Sequence, residues 1–156
     1  MVPSSMLPAL AELMANCCWY QLTTAATAVV GCMADSKANR NLITEAALPA
    51  TITLLANPHS QLQAVDLLFK LSESDDLRAA VTQTALPGLV GILQHEHCKG
   101  SRHAAALVVH NLASQAECRK CVKVAAFSAL TSLWLSTQDA STQKVVAATL
   151  ELLHLV

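Results

Sequence analysis

Apolar residues recur along the chain in a pattern that repeats about every 40 residues. Each copy contains an anchor, an apolar residue followed by a residue that can start a helix, and the four anchors are Leu7, Leu48, Leu86 and Phe127. They lie 41, 38 and 41 residues apart. A self-similarity of this period indicates an array of helical repeats.

Each anchor is predicted to lie between two short helices. After the anchor, apolar residues return at spacings of three and four, which predicts a helix that begins there. The prolines at positions 8, 49 and 87 suit the first turn of such a helix and disfavour helical geometry in the residue before them. A second apolar pattern lies five and six residues upstream of three anchors, at 42–43, 80–81 and 121–122. The chain should therefore bend at the anchor.

A longer amphipathic helix is predicted to follow each pair. Its apolar positions step by four and three residues, so they share one helix face. The predicted columns are Ala26, Ala64, Ala105 and Ala148, then Val30, Leu68, Val109 and Leu152, then Met33, Leu71, Leu112 and Leu155. The sequence therefore predicts one all-α domain of four three-helix repeats, with approximate bounds 1–35, 36–73, 74–114 and 115–156.

Three helices per unit with a bend at Leu-Pro resemble the armadillo repeat family. The closest stretch covers residues 41–50, Asn-Leu-Ile-Thr-Glu-Ala-Ala-Leu-Pro-Ala, and continues with Leu-Leu-Ala-Asn-Pro at 54–58. Repeat one lacks its first helix, and repeat four carries Phe127-Ser128 where Leu-Pro is expected. The resemblance implies a right-handed α-solenoid superhelix whose third helices line a concave surface. HEAT-like repeats, with two helices per unit, are the alternative.

The resemblance also implies a function, a non-enzymatic scaffold that binds an extended peptide or a helix of a partner protein along the concave surface. The candidate groove residues, two from each of the last three repeats, are Asp66, Lys70, Leu107, Asn111, Leu150 and His154. The resemblance to nuclear import adaptors of this family implies a Trp at the first of these positions in each third helix and an Asn four residues later. Only Asn111 matches that ladder, so recognition of nuclear signals is not expected.

Two interpretations of the groove residues remain open. Asp66 and Lys70 lie four residues apart and can pair with each other, which contributes about 0.2–0.5 kcal/mol on an exposed helix. Alternatively, Lys70, Asn111 and His154 form a polar stripe across three repeats that bonds to a partner.

The composition favours a folded, nearly all-helical chain and excludes several other classes of protein. Hydrophobic residues make up 53% of the chain and charged residues 13%, against roughly 25% charged in typical soluble domains. This excludes disorder, and the formal charge of −1 gives no bulk attraction to nucleic acid or anionic lipid. The uncharged stretch 13–34 is long enough to span a bilayer, but polar residues such as Asn16 and Gln21 interrupt it. No membrane or nucleic-acid partner is therefore expected.

Two clusters of side chains have the chemistry to bind a metal ion or an anion. Cys118 and Cys121 form a CxxC, and His95, His97 and Cys98 precede it, a set that could complete a zinc site. The clusters are expected about 20 Å apart, and Cys121 is expected in the core, so no metal is predicted. The basic group Lys99, Arg102 and His103 is interpreted as a solvated loop, with an acidic partner or a phosphate as the alternative.

Catalytic motifs are absent from the sequence, so no enzyme and no cofactor are predicted. The chain ends in an apolar helix and begins without a first helix, whereas solenoid ends normally carry polar caps. The alternative function is therefore a structural segment of a larger solenoid or assembly, whose apolar ends dock to a partner or to a second copy. Six cysteines without a secretory signal predict an intracellular, cytoplasmic protein; cytoskeletal or centrosomal association is left open.

Overall fold

The computed structural model describes residues 6–16, 20–95 and 99–154, and within these ranges all regular secondary structure is α-helical. The helices of the described residues are α1 (Met6–Asn16), α2 (Tyr20–Ala34), α3 (Lys37–Leu55), α4 (Gln61–Ser72), α5 (Asp75–Gln94), α6 (Lys99–Ser114), α7 (Ala116–Ser136) and α8 (Ala140–His154). Among these helices, none has both the length and the apolar character that crossing a bilayer requires.

The helices form two layers. Along one layer α1 packs on α3, α3 on α5 and α5 on α7; along the other α2 packs on α4, α4 on α6 and α6 on α8. Each odd-numbered helix also packs on the even-numbered helix that follows it, and we call each such pair a repeat, numbered 1 to 4. Because every repeat packs on its neighbours in both layers, the apolar core runs without interruption through the stack.

In repeats 2 and 3 the first two predicted helices join end to end. Helix α3 continues through Pro49 and α5 continues through Pro87, without the break that was expected before each proline. A proline inside a helix removes one backbone hydrogen bond. Both prolines are exposed, as are Glu45 and Gln83, the residues whose carbonyls lose this bond, so water can replace it. Each helix therefore continues through its proline, and the break predicted from the sequence is wrong for repeats 2 and 3.

The core positions recur in register along the odd-numbered helices. Ile43, Val81 and Val122 are fully buried at equivalent places in α3, α5 and α7. Gly88 of α5 gives Leu55 of α3 room to approach, since a Cβ at residue 88 would lie 2.8 Å from the Leu55 Cδ1 atom. Glycine at position 88 thus leaves space that the end of the Leu55 side chain fills between repeats 2 and 3.

The register predicted for the last helix is wrong by two residues. Val146 and Leu153 are fully buried in α8, whereas Ala148 and Leu152 are only half-buried. Leu155, the third member of the predicted column, lies outside the described residues. The residues of α8 that match Ala105 and Leu112 of α6 are therefore Val146 and Leu153, 41 residues further along the chain.

An arginine closes each boundary between repeats. The Nε atoms of Arg40, Arg78 and Arg119 donate hydrogen bonds to the carbonyls of Ala34, Ser72 and Ala113, at 2.8, 2.7 and 3.0 Å. Each arginine lies in the first turns of an odd-numbered helix, and its acceptor ends the preceding even-numbered helix. Terminal carbonyls of a helix have no partner within the helix, so these bonds satisfy groups that would otherwise need water.

Buried threonines satisfy their own hydroxyl groups. Thr27, Thr51 and Thr149 each donate to the carbonyl four residues earlier, at 2.8, 2.8 and 2.7 Å. Such back-bonding lets a polar side chain lie inside an apolar helix interface without a partner from another helix. Threonine therefore occupies core positions in this fold.

Candidate functional site: the even-helix stripe

One face of the even-numbered helices crosses all four repeats and carries the predicted groove positions. On each helix it comprises residues at spacings of three and four, which share a face. We call these twelve residues the even-helix stripe: Ala25, Ala28 and Cys32 on α2, Gln63, Asp66 and Lys70 on α4, Ala104, Leu107 and Asn111 on α6, and Val145, Ala148 and Leu152 on α8. None is fully buried, and the residues of α2 are exposed.

Lys70 links repeats 1 and 2 across the stripe. Its Nζ atom lies 2.7 Å from the Oδ1 atom of Asp35 and donates to the carbonyl oxygen of Gly31 at 2.9 Å. Asp66, the partner expected from the sequence, makes no ion pair with Lys70 within 4 Å, so the expectation of a pair inside α4 is wrong. The ammonium group instead neutralises the carboxylate of Asp35 and bonds the carbonyl of Gly31, both near the end of α2.

Asp66 is left as the carboxylate that the stripe presents. Burial raises the pKa of Asp66 above its usual value, and the positive charge of Lys70 partly lowers it again. A carboxylate in this situation gains from an incoming hydrogen-bond donor or cation. One turn away, the Oε1 atom of Gln63 is buried and has no hydrogen-bond partner in the described part of the chain. Repeat 2 thus presents Asp66 as its accessible acceptor, since the Gln63 oxygen is closed off from solvent.

Asn111 joins repeats 2 and 3. Its Nδ2 atom donates to the Oγ atom of Ser72 at 3.0 Å, and Ser72 in turn donates to the carbonyl of Phe69 at 2.7 Å. The amide nitrogen of Asn111 is thereby oriented by the protein itself. The Oδ1 atom of the same amide group accepts no hydrogen bond from the described residues. It can therefore accept a bond from a ligand.

Two histidine–threonine contacts join repeats 3 and 4. The Nδ1 atoms of His103 and His110 lie 3.0 and 3.1 Å from the Oγ1 atoms of Thr142 and Thr149. Thr149 donates its own proton to the carbonyl of Val145, so His110 acts as the donor in its pair. Burial lowers the pKa of His110, which favours the neutral ring.

The last two predicted groove residues do not lie in the stripe. His154 is exposed, and its ring contacts that of Phe127 on α7 edge to face, with ring centres 5.6 Å apart. Leu150 is half-buried against the core. With the register of α8 corrected, Ala148 and Leu152 take the places on the stripe that the sequence assigned to Leu150 and His154. The expected polar stripe of Lys70, Asn111 and His154 therefore stops at repeat 3.

The start of α8 holds a tightly bonded carboxylate. Asp139 accepts hydrogen bonds from the hydroxyl groups of Thr142 and Ser141 and from the backbone N–H of Thr142. These bonds hold the pKa of Asp139 well below its usual range, with the bond from the Thr142 side chain as the largest cause. Asp139 is thus the N-cap of α8. The cap lies beside a cleft of about 510 Å³ that Arg102 also lines.

The CxxC motif lies on α7, where its two thiols differ. Cys118 is buried, and its Sγ atom lies 3.4 Å from the Oε1 atom of Gln115. Cys121 is exposed, so its predicted core position is wrong; the core position is taken by Val122. Among the described residues, no three His, Cys, Asp or Glu side chains are grouped closely enough to hold a metal ion. His97 and Cys98 lie outside the described residues.

Sequence reasoning missed the residues that connect the stripe between repeats. Ser72, His110 and Thr149 all make contacts with residues 39 positions away, close to one repeat length, and Asp35 contacts Lys70, 35 positions away. Polar residues that recur one period apart on the third helices were the available signal. The apolar pattern that defines the repeats does not include these polar residues.

Comparison with solved structures identifies the architecture. A designed armadillo repeat protein in complex with the peptide (KR)4 superposes with a TM-score of 0.84 at 22% identity, over 94% of this chain and 64% of that chain. An engineered protein gives a TM-score of 0.85 at 23% identity, over 96% of this chain and 64% of that one. A second designed armadillo repeat protein gives 0.83 at 22% identity, again over 94% and 64%.

No protein-family model matches the sequence, and no curated protein is similar enough to match it. The chain spans 64% of the length of the first solved structures it resembles. At 22–23% identity the likeness establishes the fold, and that fold is the all-α armadillo-type solenoid predicted from the repeat pattern.

Proposed function

We propose that this chain is a non-enzymatic scaffold that binds a peptide or a helix of a partner protein along the even-helix stripe. The observation that carries the proposal is the continuity of the stripe: it crosses four repeats, and none of its residues is fully buried. In the designed neighbour with the same fold, the bound ligand is a peptide. We assign the concave surface of the solenoid to this stripe by that likeness.

The chemistry of the stripe favours a mainly apolar ligand. Repeats 3 and 4 present Ala104, Leu107, Val145, Ala148 and Leu152, without a charge. Lys70 already neutralises Asp35, which leaves Asp66 as the stripe's carboxylate. A ligand with several basic residues would therefore meet one negative group and a long apolar surface, and burying unpaired charges against such a surface is costly.

The ligand that fits has apolar side chains for repeats 3 and 4 and one donor or basic group for Asp66. Backbone groups of the same ligand can bond the side-chain oxygen of Asn111. No catalytic residue, cofactor or metal has a part in this proposal. It includes an intracellular, cytoplasmic setting, which is the expectation from the six cysteines of the sequence.

The test is selection of peptides from a random displayed library on the purified chain, followed by affinity measurements with fluorescence anisotropy. Leu107→Asp should lower the affinity for the selected peptide by at least about tenfold, which corresponds to about 1.4 kcal/mol of binding free energy. The matched control is Leu42→Asp, which makes the same change at an exposed site of α3. Equal loss in both variants, or selection of basic peptides such as (KR)4, would contradict the proposed site or its apolar character.

A further inference from the structure

Helix α7 exposes large apolar side chains where the preceding repeat has amides. Val124 is 84% exposed and Leu135 is 73% exposed. The equivalent residues of α5, 41 positions earlier, are Gln83 and Gln94, which are also exposed although repeat 4 packs on that helix. Stacking of a further repeat would therefore leave Val124 and Leu135 in water. A different contact is needed to cover them.

The same helix also presents residues that stacking does bury elsewhere. Trp134 is 45% exposed, whereas its equivalents Leu55 and Leu93 are 4% and 2% exposed. Phe127 is half-buried, and its equivalent Leu86 is buried. At 100° per residue, Phe127 and Trp134 lie within about 80° of Val124 around the helix. Together with Ser128 and Leu135 these residues form one continuous surface, which we call the α7 face.

The central part of the α7 face, around Ser128, carries no charge; the exposed Lys120 and the half-buried Lys123 lie towards its N-terminal end. The exposed residues of α7 from position 121 onwards are Cys121, Val124, Ala125, Ser128, Ser132, Trp134, Leu135 and Ser136. In a two-fold symmetric contact the same surface meets itself, and each residue near the axis lies close to its own copy. Charges of one sign there would repel each other, so an uncharged apolar face is suited to this kind of contact.

We propose that the α7 face binds the α7 face of a second copy in a two-fold symmetric dimer. Ser128 is the midpoint of the face, so two antiparallel α7 helices that cross there bring Cys121 of one copy opposite Leu135 of the other. The α7 helix of the second copy then covers Val124, Trp134 and Leu135. This proposal is independent of ligand binding at the even-helix stripe.

Head-to-tail stacking, the other self-association that the fold suggests, fits less well. It would repeat the contact between interior repeats, with α7 and α8 of one copy against α1 and α2 of the next. At these ends the residues are larger than in the interior: Trp134 replaces Leu93, and Leu22 replaces Ser60. If the two ends packed as closely as interior repeats do, these bulkier side chains would clash. The two-fold contact does not depend on that geometry.

The experiment is light scattering coupled to size exclusion over a range of concentrations. The wild type should reach twice the chain mass of 16.5 kDa and no more. The variant Val124→Gln/Leu135→Gln introduces the residues that α5 carries at these exposed positions, and it should weaken dimerisation by at least about tenfold with unchanged helical circular dichroism. Leu22→Gln, an exposed apolar change on α2, serves as the matched control and should leave the dimer intact.

Cross-linking gives a second readout of the same geometry. In a background in which all six native cysteines are replaced by alanine, Ser128→Cys should form a covalent dimer under mild oxidation, because residue 128 lies next to its own copy at the axis. A wild type that stays monomeric would overturn the proposal, as would a dimer that survives the double glutamine variant. Growth beyond two copies that Leu22→Gln abolishes would overturn it in favour of head-to-tail stacking.

Discussion

The interior repeats and the fourth repeat bury equivalent residues to different degrees. Leu68 and Val109 are completely buried in repeats 2 and 3, whereas Leu150, at the same place in repeat 4, is half-buried. The same holds for Leu93, which is buried, and Trp134, which is 45% exposed. Burial in this fold thus depends on having a neighbour on both sides. A residue's own repeat provides only part of its surroundings.

The largest expected effect is a difference in stability loss between a core substitution in repeat 2 and the equivalent one in repeat 4. Leu68→Ala should lower the free energy of unfolding by about 2–5 kcal/mol, because it opens a cavity in a fully packed site. Leu150→Ala should cost at most about half of that, since the side chain already contacts solvent. Urea denaturation followed by circular dichroism measures both. Equal losses would contradict the view that the missing neighbour controls burial.

A smaller effect is expected at the boundary arginines. Arg78→Ala should cost about 1–3 kcal/mol, because it leaves the carbonyl of Ser72 without its bond and removes the ion pair with Asp75, whose Oδ1 atom lies 2.6 Å from the guanidinium. Arg119→Ala is the comparison at the boundary of repeat 4, and its damage should stay local. Amide hydrogen exchange would show opening of repeat 4, α7 together with α8, in the second variant; protection lost along the whole stack would refute this difference.

The link between repeats 1 and 2 should contribute less and respond to salt. A double-mutant cycle with Lys70→Ala and Asp35→Ala should give a coupling of about 0.2–1 kcal/mol at low ionic strength, because both side chains are partly exposed. The coupling should shrink as salt is added. Asp66→Ala with Lys70→Ala is the control cycle, and a larger coupling there would restore the pair inside α4 that the sequence suggested.

The link between repeats 3 and 4 should respond to pH, with the smallest effect of the four. The pKa of His110 is lowered in the folded state, so the unfolded chain takes up a proton first as the pH falls below about 6.5. Stability contributed by the neutral ring is therefore complete above this pH and is lost as the pH falls through the folded pKa. His110→Gln should flatten the decline of the unfolding midpoint with pH. An unchanged decline in this variant would exclude His110 as its source.

Sequence reasoning recovered the architecture because the anchors carry a strong local signal. Leu-Pro at two anchors and apolar residues at helix spacing fix the period without any knowledge of packing. It misplaced the register of α8 because that helix buries Thr142 and Thr149. Threonine counts as polar in an apolar pattern, yet Thr149 satisfies its hydroxyl on the carbonyl of Val145. A column search limited to apolar residues therefore selected Ala148 and Leu152.

The candidate site was recovered only in part. Positions Asp66, Lys70, Leu107 and Asn111 share a face as expected, because this follows from helix periodicity alone. Their partners depend on how adjacent helices are rotated and shifted, which periodicity does not determine. Lys70 bonds Asp35 of the neighbouring helix, and Asn111 bonds Ser72, two contacts that span a whole repeat.

The boundary arginines determine where a repeat can be exchanged as a module. Arg78 belongs to repeat 3 in sequence, yet its side chain completes the last turn of α4 in repeat 2. A junction placed between α4 and α5 would separate this donor from its acceptor. The turn at 57–60 that joins α3 to α4 contains no such arginine bond. Repeats duplicated or deleted from one turn of this kind to the next would keep every arginine with the helix end it serves.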